Sequence, residues 1–289
     1  MPNFPRTDLA VEAEAIHRSA AAVTELPGVR AEETERRGFA VTEVHVLDVA
    51  GENVLCKPIG DYYTLALDPL LRREDDAFEN AAQTLAELLR GVLPLMPGAS
   101  VLVVGLGNRE ITPDAIGPEA VRNLIVTRHL GSELPEALTD LTSVAACQPG
   151  VLGQTGIESL ALVKSAMQTA QPDVVIVIDA LAAAEPGRLF RTVQLTDTGI
   201  VPGSGVGNSR QEFSQRTLGV PVVAVGVPTV MDAAGALQPA LTRDMPQGLL
   251  VTLRDVDARV REMGRLVGYG CDLALHRGLS LAEIPTFLS

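Results

Sequence analysis

The sequence predicts an α/β fold: a doubly wound, mostly parallel sheet flanked by helices, with a small N-terminal strand subregion. Three observations predict it. Aliphatic runs at 101–105, 174–178 and 222–227 read as strands covered on both faces, the pattern of a parallel sheet. Segments with apolar residues at helical spacing alternate with them. Glycine-rich turns, Gly105-Leu-Gly-Asn108 and Pro202-Gly-Ser-Gly-Val-Gly-Asn208, punctuate the alternation. At 289 residues, about three quarters of the unfolded surface can be buried, so the core needs no disulfide or metal to hold it.

In chain order, residues 8–26 are rich in Ala and Glu with an apolar stripe and predict an amphipathic helix. Residues 39–49 alternate through Val44 and Val46, Gly51-Glu-Asn53 marks a turn, and Val54-Leu-Cys56 and Tyr62–Leu67 are extended, so three strands are expected here. A helix over 77–93 is closed by Pro94 and Pro97-Gly98. After the strand at 101–105 a helix is expected from Pro118 to His129, and another from Gly156 to Thr169 after the turn at 150–156. The strands at 174–178 and 222–227 follow, and a long helix covers 256–275.

Formal net charge is −13, and the 23 basic residues are scattered rather than clustered. Direct nucleic-acid binding is therefore not expected, because it needs a positive stripe to neutralise phosphates. Cys56, Cys147 and Cys271 are far apart and odd in number, which fits a reducing compartment. A nucleophilic role for Cys147 is the weaker reading beside a plain buried thiol. The N-terminus lacks an apolar stretch of the signal-peptide kind, and charge or turn residues interrupt every apolar run before about 18 residues, so a cytoplasmic protein without a membrane span is expected.

The chemistry-bearing residues are Asp114 and Asp179, each following one of the aliphatic runs. Ligands bind at the carboxyl ends of strands in open α/β sheets. Two carboxylates delivered there form an acid/base device, since neighbouring acids cannot both ionise easily and can share a proton. Alone, Asp114 reads as the N-cap of the helix expected near Pro118. Asp179 ends a β-branched run, where an unpaired charge would be costly. The turn at Gly105 is not a dinucleotide fingerprint, because Glu110 stands where the third glycine belongs. Gly203-Ser204-Gly205 lacks the frame of a nucleophile elbow. His17, His45, His129 and His276 have no metal-ligand spacing to one another.

Several segments in order resemble the germination protease (spore endopeptidase) family: Arg6–Glu12, Lys57-Pro-Ile-Gly60, Gly105–Asn108 with Thr112–Pro118, Gly153-Gln-Thr-Gly156, Ile178–Ala182, Thr196–Gly199 with Pro202–Asn208, and Gly219-Val-Pro through Val227–Val230. The resemblance implies an endopeptidase that is made as a zymogen, forms a homotetramer and degrades small acid-soluble spore proteins during germination, in the cytoplasm of the spore core. It places the family's two aspartates on Asp114 and Asp179. The family's substrates are cut within Thr, acidic, hydrophobic, Ala, any residue, acidic; Thr7-Asp-Leu-Ala-Val-Glu12 has that form. The resemblance thus implies self-processing between Asp8 and Leu9, with a propeptide over 1–8 and one endopeptidase domain over 9–289. The propeptide is short for the family, and the region 233–247 looks shortened too.

A looser resemblance, to the endopeptidases that mature nickel–iron hydrogenases, implies an alternative: a metal-dependent peptidase of the same fold. Asp114 and Asp179 would fill two of its ligand places. The histidine expected in 202–210 is absent, so a metal-independent site without a cofactor is the expectation. In the mechanism expected, one aspartate donates a proton and the other activates water. Backbone N–H groups near Gly105, Gly153 or Gly203 would stabilise the oxyanion.

Overall fold

In the computed structural model, which describes residues 7–21, 25–133, 141–233 and 248–288, nine strands form one mixed sheet. The chain runs through α1 (Ala10–Ala21), β1 (Val29–Arg36), β2 (Phe39–Val46), α2 (Val49–Leu55), β3 (Gly60–Ala66), α3 (Asp68–Leu71), α4 (Ala77–Val92) and β4 (Ser100–Gly105). It continues through α5 (Ile116–Arg122), β5 (Ser143–Cys147), α6 (Leu152–Thr155), α7 (Ser159–Ala170), β6 (Val174–Ala183) and β7 (Thr192–Thr196). The last elements are α8 (Gln215–Leu218), β8 (Val222–Asp232), β9 (Leu250–Val251), α9 (Val256–Leu275) and α10 (Ile284–Phe287).

The strand order is β1-β2-β3-β7-β8-β6-β4-β5, with β9 on the far end of β8. Strands β8, β6, β4 and β5 run parallel. Strands β1, β2, β3 and β7 extend the same sheet with antiparallel pairings. The expected α/β architecture is thus present, and its N-terminal strands continue the main sheet.

Alternate residues of the buried strands serve opposite faces. Val101, Val103, Ile176, Ile178, Val223 and Val225 pack under α4, α5 and α9, meeting Leu85, Leu89, Ile116 and Leu266. Leu102, Val104, Val175 and Val177 pack on the other face with Leu160 and Val163 of α7. Against the antiparallel extension, Ala10 and Ala13 of α1 and Leu55 of α2 meet Val44, Val46 and Tyr62.

Several local expectations are corrected. Residues 54–56 are not a strand. Asp48 caps α2 by accepting N–H bonds from Ala50 (2.9 Å) and Gly51 (3.1 Å) at Oδ1, and the helix runs through Leu55. The helix expected over 118–129 ends at Arg122, and His129 lies in a separate 3-10 segment, Arg128–Glu133. A continuing helix would give the Ile125 N–H to Val121, but Oδ1 of Asp272 on α9 accepts it at 2.9 Å. Strand β6 is ten residues long and extends beyond Asp179. Strand β8 continues through Pro228, whose carbonyl accepts from Phe190 N–H at 2.8 Å. The register with β6 shifts just past Pro228, leaving Thr229 as the extra residue of a bulge. Residues 1–6 of the expected propeptide and 234–247 of the expected short region lie outside the described residues.

Candidate active site

The two aspartates reach one place by different routes. Strand β4 stops at Gly105, and Leu106 N–H still donates to Ile178 O at 2.8 Å. Gly107 then takes φ +112°, and a Cβ there would stand 1.9 Å from the Asp114 carbonyl oxygen. Only a glycine lets the returning loop lie this close. The loop is tied off by Asn108 N–H, which donates to Asp114 O (3.1 Å) and to its Oδ2 (2.9 Å). Asp114 closes a 3-10 turn, Thr112–Asp114. It does not cap α5, whose N-cap position is Ala115 and carries no side-chain cap bond. Its carboxyl turns back toward the strand end instead.

Asp179 lies within β6, opposite Gly226 of β8, with 5% of its surface exposed. Ala180 N–H donates to its Oδ1 at 2.9 Å. Burial raises its pKa well above the ordinary carboxylate value, the charge of Asp114 pushes the same way, and the Ala180 bond opposes. Burial also lifts Asp114, to about 6, against the Asn108 N–H bond. Both acids line one cleft of about 780 Å³, with Asn108, Gly153, Gly203, Asn208 and the bulge residue Thr229 on its walls. Of the glycines expected to supply oxyanion donors, Gly153 and Gly203 line this cleft. Gly105 is packed away, a Cβ there standing 2.4 Å from the Gly117 carbonyl.

The segment around Asp8 enters the same region. Leu9 and Ala10 are fully buried, and Asp8 lines both this cleft and a neighbouring one of about 970 Å³. Asp8 N–H donates to Ala182 O (3.0 Å), and Ala182 N–H donates to Asp8 Oδ2 (2.8 Å). Its carbonyl accepts from Lys57 Nζ (2.8 Å) and Gln194 Nε2 (3.2 Å). The carboxylate of Asp8 is a minor further cause of the raised pKa at Asp179.

Lys57, Gln194 and Ser204 are residues that the sequence did not single out individually. Gln194 shares a row with Gly226 and Asp179, so all three face the same side of the sheet. Its signal was a polar residue between Val193 and Leu195, in a strand only five residues long. Lys57 and Lys164 are the only lysines in a chain otherwise based on arginine. The histidines serve elsewhere: His45 Nδ1 lies 2.7 Å from Asp61 Oδ1 on β3, His276 is buried in the core, and His17 lines the second cavity. Burial pushes the Cys147 thiol up to about 11, which opposes thiolate chemistry. Among the described residues, no three His, Cys, Asp or Glu side chains are grouped so as to hold a metal ion, and no helix is long and apolar enough to cross a membrane.

Residues 6–242 match the family model described as germination protease. A germination protease of Caldanaerobacter subterraneus subsp. tengcongensis is 38% identical, over 98% of this chain and 98% of its own. One of Clostridium tetani is 36% identical over 98% and 99%, and one of Bacillus cereus 43% over 79% and 63%. The protein is therefore a peptidase acting on protein substrates. It belongs to the germination protease family. A nickel–iron hydrogenase maturation protease of Thermococcus kodakarensis is 15% identical over 63% of this chain and 97% of its own, with a TM-score of 0.36. That likeness is too loose to transfer any residue.

Proposed function

We propose that this germination endopeptidase initiates the degradation of small acid-soluble spore proteins by a two-aspartate mechanism and is made as a self-processing zymogen. The observation that carries the reading is the pairing of Asp114 and Asp179 on one cleft, both with raised pKa values and one far more buried than the other. Unequal environments divide the roles of two acids. Asp179, the more deeply buried, holds the proton and donates it to the scissile carbonyl or the leaving amine. Asp114, ionised above about pH 6, takes a proton from the attacking water. In a bond cut after Asp8 the scissile carbonyl oxygen is the one that Lys57 Nζ (2.8 Å) and Gln194 Nε2 (3.2 Å) hold, so these two donors, rather than peptide N–H groups near Gly153 and Gly203, face its developing oxyanion.

Processing between Asp8 and Leu9 belongs to the same reading. It is supported by the Thr7–Glu12 sequence and by the position of Asp8 on the cleft that holds both acids. The family resemblance adds a homotetramer working in the cytoplasm of the spore core, with residues 9–289 as the catalytic domain. The test is cleavage of a purified acid-soluble spore protein, together with intact mass of the protease, in the parent and in Asp114→Asn and Asp179→Asn variants. Cleavage and loss of residues 1–8 are expected in the parent only. Substantial turnover by either variant would remove that aspartate from the mechanism.

A further inference from the structure

The seat of Asp8 is more specific than the docking of a helix start requires. Strand β4 accompanies β6 only to Ile178, and past that point the main chain of Asp8 takes its place against Ala182. The two carboxylate oxygens are held separately: Ala182 N–H donates to Oδ2 at 2.8 Å, and Ser204 Oγ donates to Oδ1 at 2.6 Å. Gly205 lies flush against the same group, where a Cβ would stand 2.3 Å from Oδ2. The following peptide is also gripped. Lys57 Nζ and Gln194 Nε2 donate to the Asp8 carbonyl, and Ala10 N–H donates to Gln194 Oε1 at 2.7 Å.

Resting on the reading of Asp8–Leu9 as a bond this enzyme cuts, we propose that Ala182 N–H, Ser204 and Gly205 form the subsite for an acidic side chain on the amino side of the cleaved bond. The chain's own Asp8 occupies this subsite first, and the acidic residue of a protein substrate occupies it afterwards. Ser204 and Gly205 are then specificity-determining residues, while Lys57 and Gln194 hold the carbonyl oxygen of the bond to be cut.

The chemistry favours an anion over its neutral isostere. A carboxylate accepts from Ala182 N–H and from the Ser204 hydroxyl at once, whereas an amide that accepts from Ala182 N–H turns its NH2 group to Ser204, whose hydroxyl must then accept and loses the acceptor for its own proton. When Asp8 departs, Ser204, Ala182 N–H and the buried Lys57 ammonium lose their acceptors together. Burial already lowers the pKa of Lys57 while the Asp8 carboxylate holds it up. An emptied seat of this kind draws in a strand that brings both a carbonyl and a carboxylate.

The test uses two fluorogenic peptides copying residues 3–14, one with Asp at the position of Asp8 and one with Asn there. The parent protein should prefer the Asp peptide by about tenfold or more in kcat/KM, as expected where a site built for a polar group meets a poorer match. Ser204→Ala should remove most of that preference, chiefly through KM, and leave the Asn peptide nearly unchanged. Gly205→Ala should weaken the Asp peptide further by crowding its carboxylate. An equal loss on both peptides would overturn the subsite. Should the parent cut neither peptide, the peptidase reading of the Asp8–Leu9 sequence fails, and the subsite is then read by binding alone. For this, binding by the chain's own segment is measured: Asp8→Asn, which leaves the main chain of residue 8 in its place, is compared with the parent by thermal unfolding, with and without Ser204→Ala. A loss of stability on Asp8→Asn that largely disappears in the Ser204→Ala background upholds the subsite, and an equal loss in both backgrounds, or none, overturns it.

Discussion

Two regions of the molecule bury an aspartate, and they differ in what surrounds it. Asp179 lies on the cleft with a second acid, Asp114, and with glycine-rich walls. Asp272 lies on α9 with none of its surface exposed, and burial lifts its pKa to about 8 against the Ile125 N–H bond. One helical turn on, the fully buried His276 has its pKa lowered by burial, and its Nε2 lies 4.0 Å from Asp272 Oδ1. By distance this is an ion pair. By environment both partners are neutral near pH 7, so it is a polar contact within the core. Neither residue lines either cavity. Asp272 works as a structural clamp that ends α5. The lesson is that a shifted carboxyl marks chemistry only where a second acid and an approaching ligand can both reach it.

The contrast breaks most visibly under Asp→Asn substitution. Asp114→Asn or Asp179→Asn should lower peptide cleavage by about a thousandfold or more, with thermal unfolding of Asp179→Asn unchanged or shifted upward. Asp272→Asn should leave kcat/KM within about twofold, as expected for a group remote from the cleft. If Asp272→Asn proved as damaging as Asp179→Asn at equal stability, the division between site and core would collapse.

A smaller effect is expected from Gly107→Ala. Its Cβ would meet the Asp114 carbonyl and must push the loop away. Displacing a catalytic group by about 1 Å can cost on the order of a hundredfold in rate. Steady-state kinetics beside a melting curve would separate this loss from general destabilisation.

The pH profile sharpens the division of roles. With Asp114 at about 6, kcat/KM should rise roughly tenfold per pH unit below that value, as a base that must ionise requires, and level off above it. A rate independent of pH between 4 and 7 would leave Asp114 without the base role.

The smallest effect concerns stability. An acid whose pKa is higher folded than unfolded favours the fold while protonated, so its contribution is full below pH about 4. For Asp272 that contribution falls progressively as pH rises toward about 8. Asp272→Asn keeps an acceptor for Ile125 N–H and removes this slope. It should therefore gain about 1–3 kcal/mol over the parent at pH 8 and little at pH 4, by urea unfolding at the two pH values.

Much of this was legible in the sequence because β4, β6 and β8 are aliphatic enough to exclude other readings. The rule about strand ends, which led to Asp114 and Asp179, holds for Asp114 in the loop past β4, whereas Asp179 lies within β6, one residue past its last pairing with β4. Strand β1 escaped notice because its residues, Val29–Arg36, are almost all exposed, so it has no apolar alternation to display. The end of α5 and the helical nature of 49–55 depended on single carboxylates, Asp272 and Asp48, taking backbone N–H groups. The first of those contacts joins residues 147 positions apart, beyond the reach of any local pattern. Lys57, Gln194 and Ser204 gather on Asp8 from three separate segments for the same reason.

One hydroxyl has a consequence of its own. Thr7 Oγ1 accepts the Leu9 N–H (3.0 Å) and donates to Glu12 Oε2, while Ala184 and Glu185 N–H groups hold the Glu12 carboxylate at 2.7 and 3.0 Å. A cut between Asp8 and Leu9 would carry Thr7 away and turn the Leu9 amide into an α-ammonium facing the anchored Glu12. A contact relayed through a hydroxyl would become an ion pair inside the fold, and the newly made end of the chain would lock in the state that its own creation began.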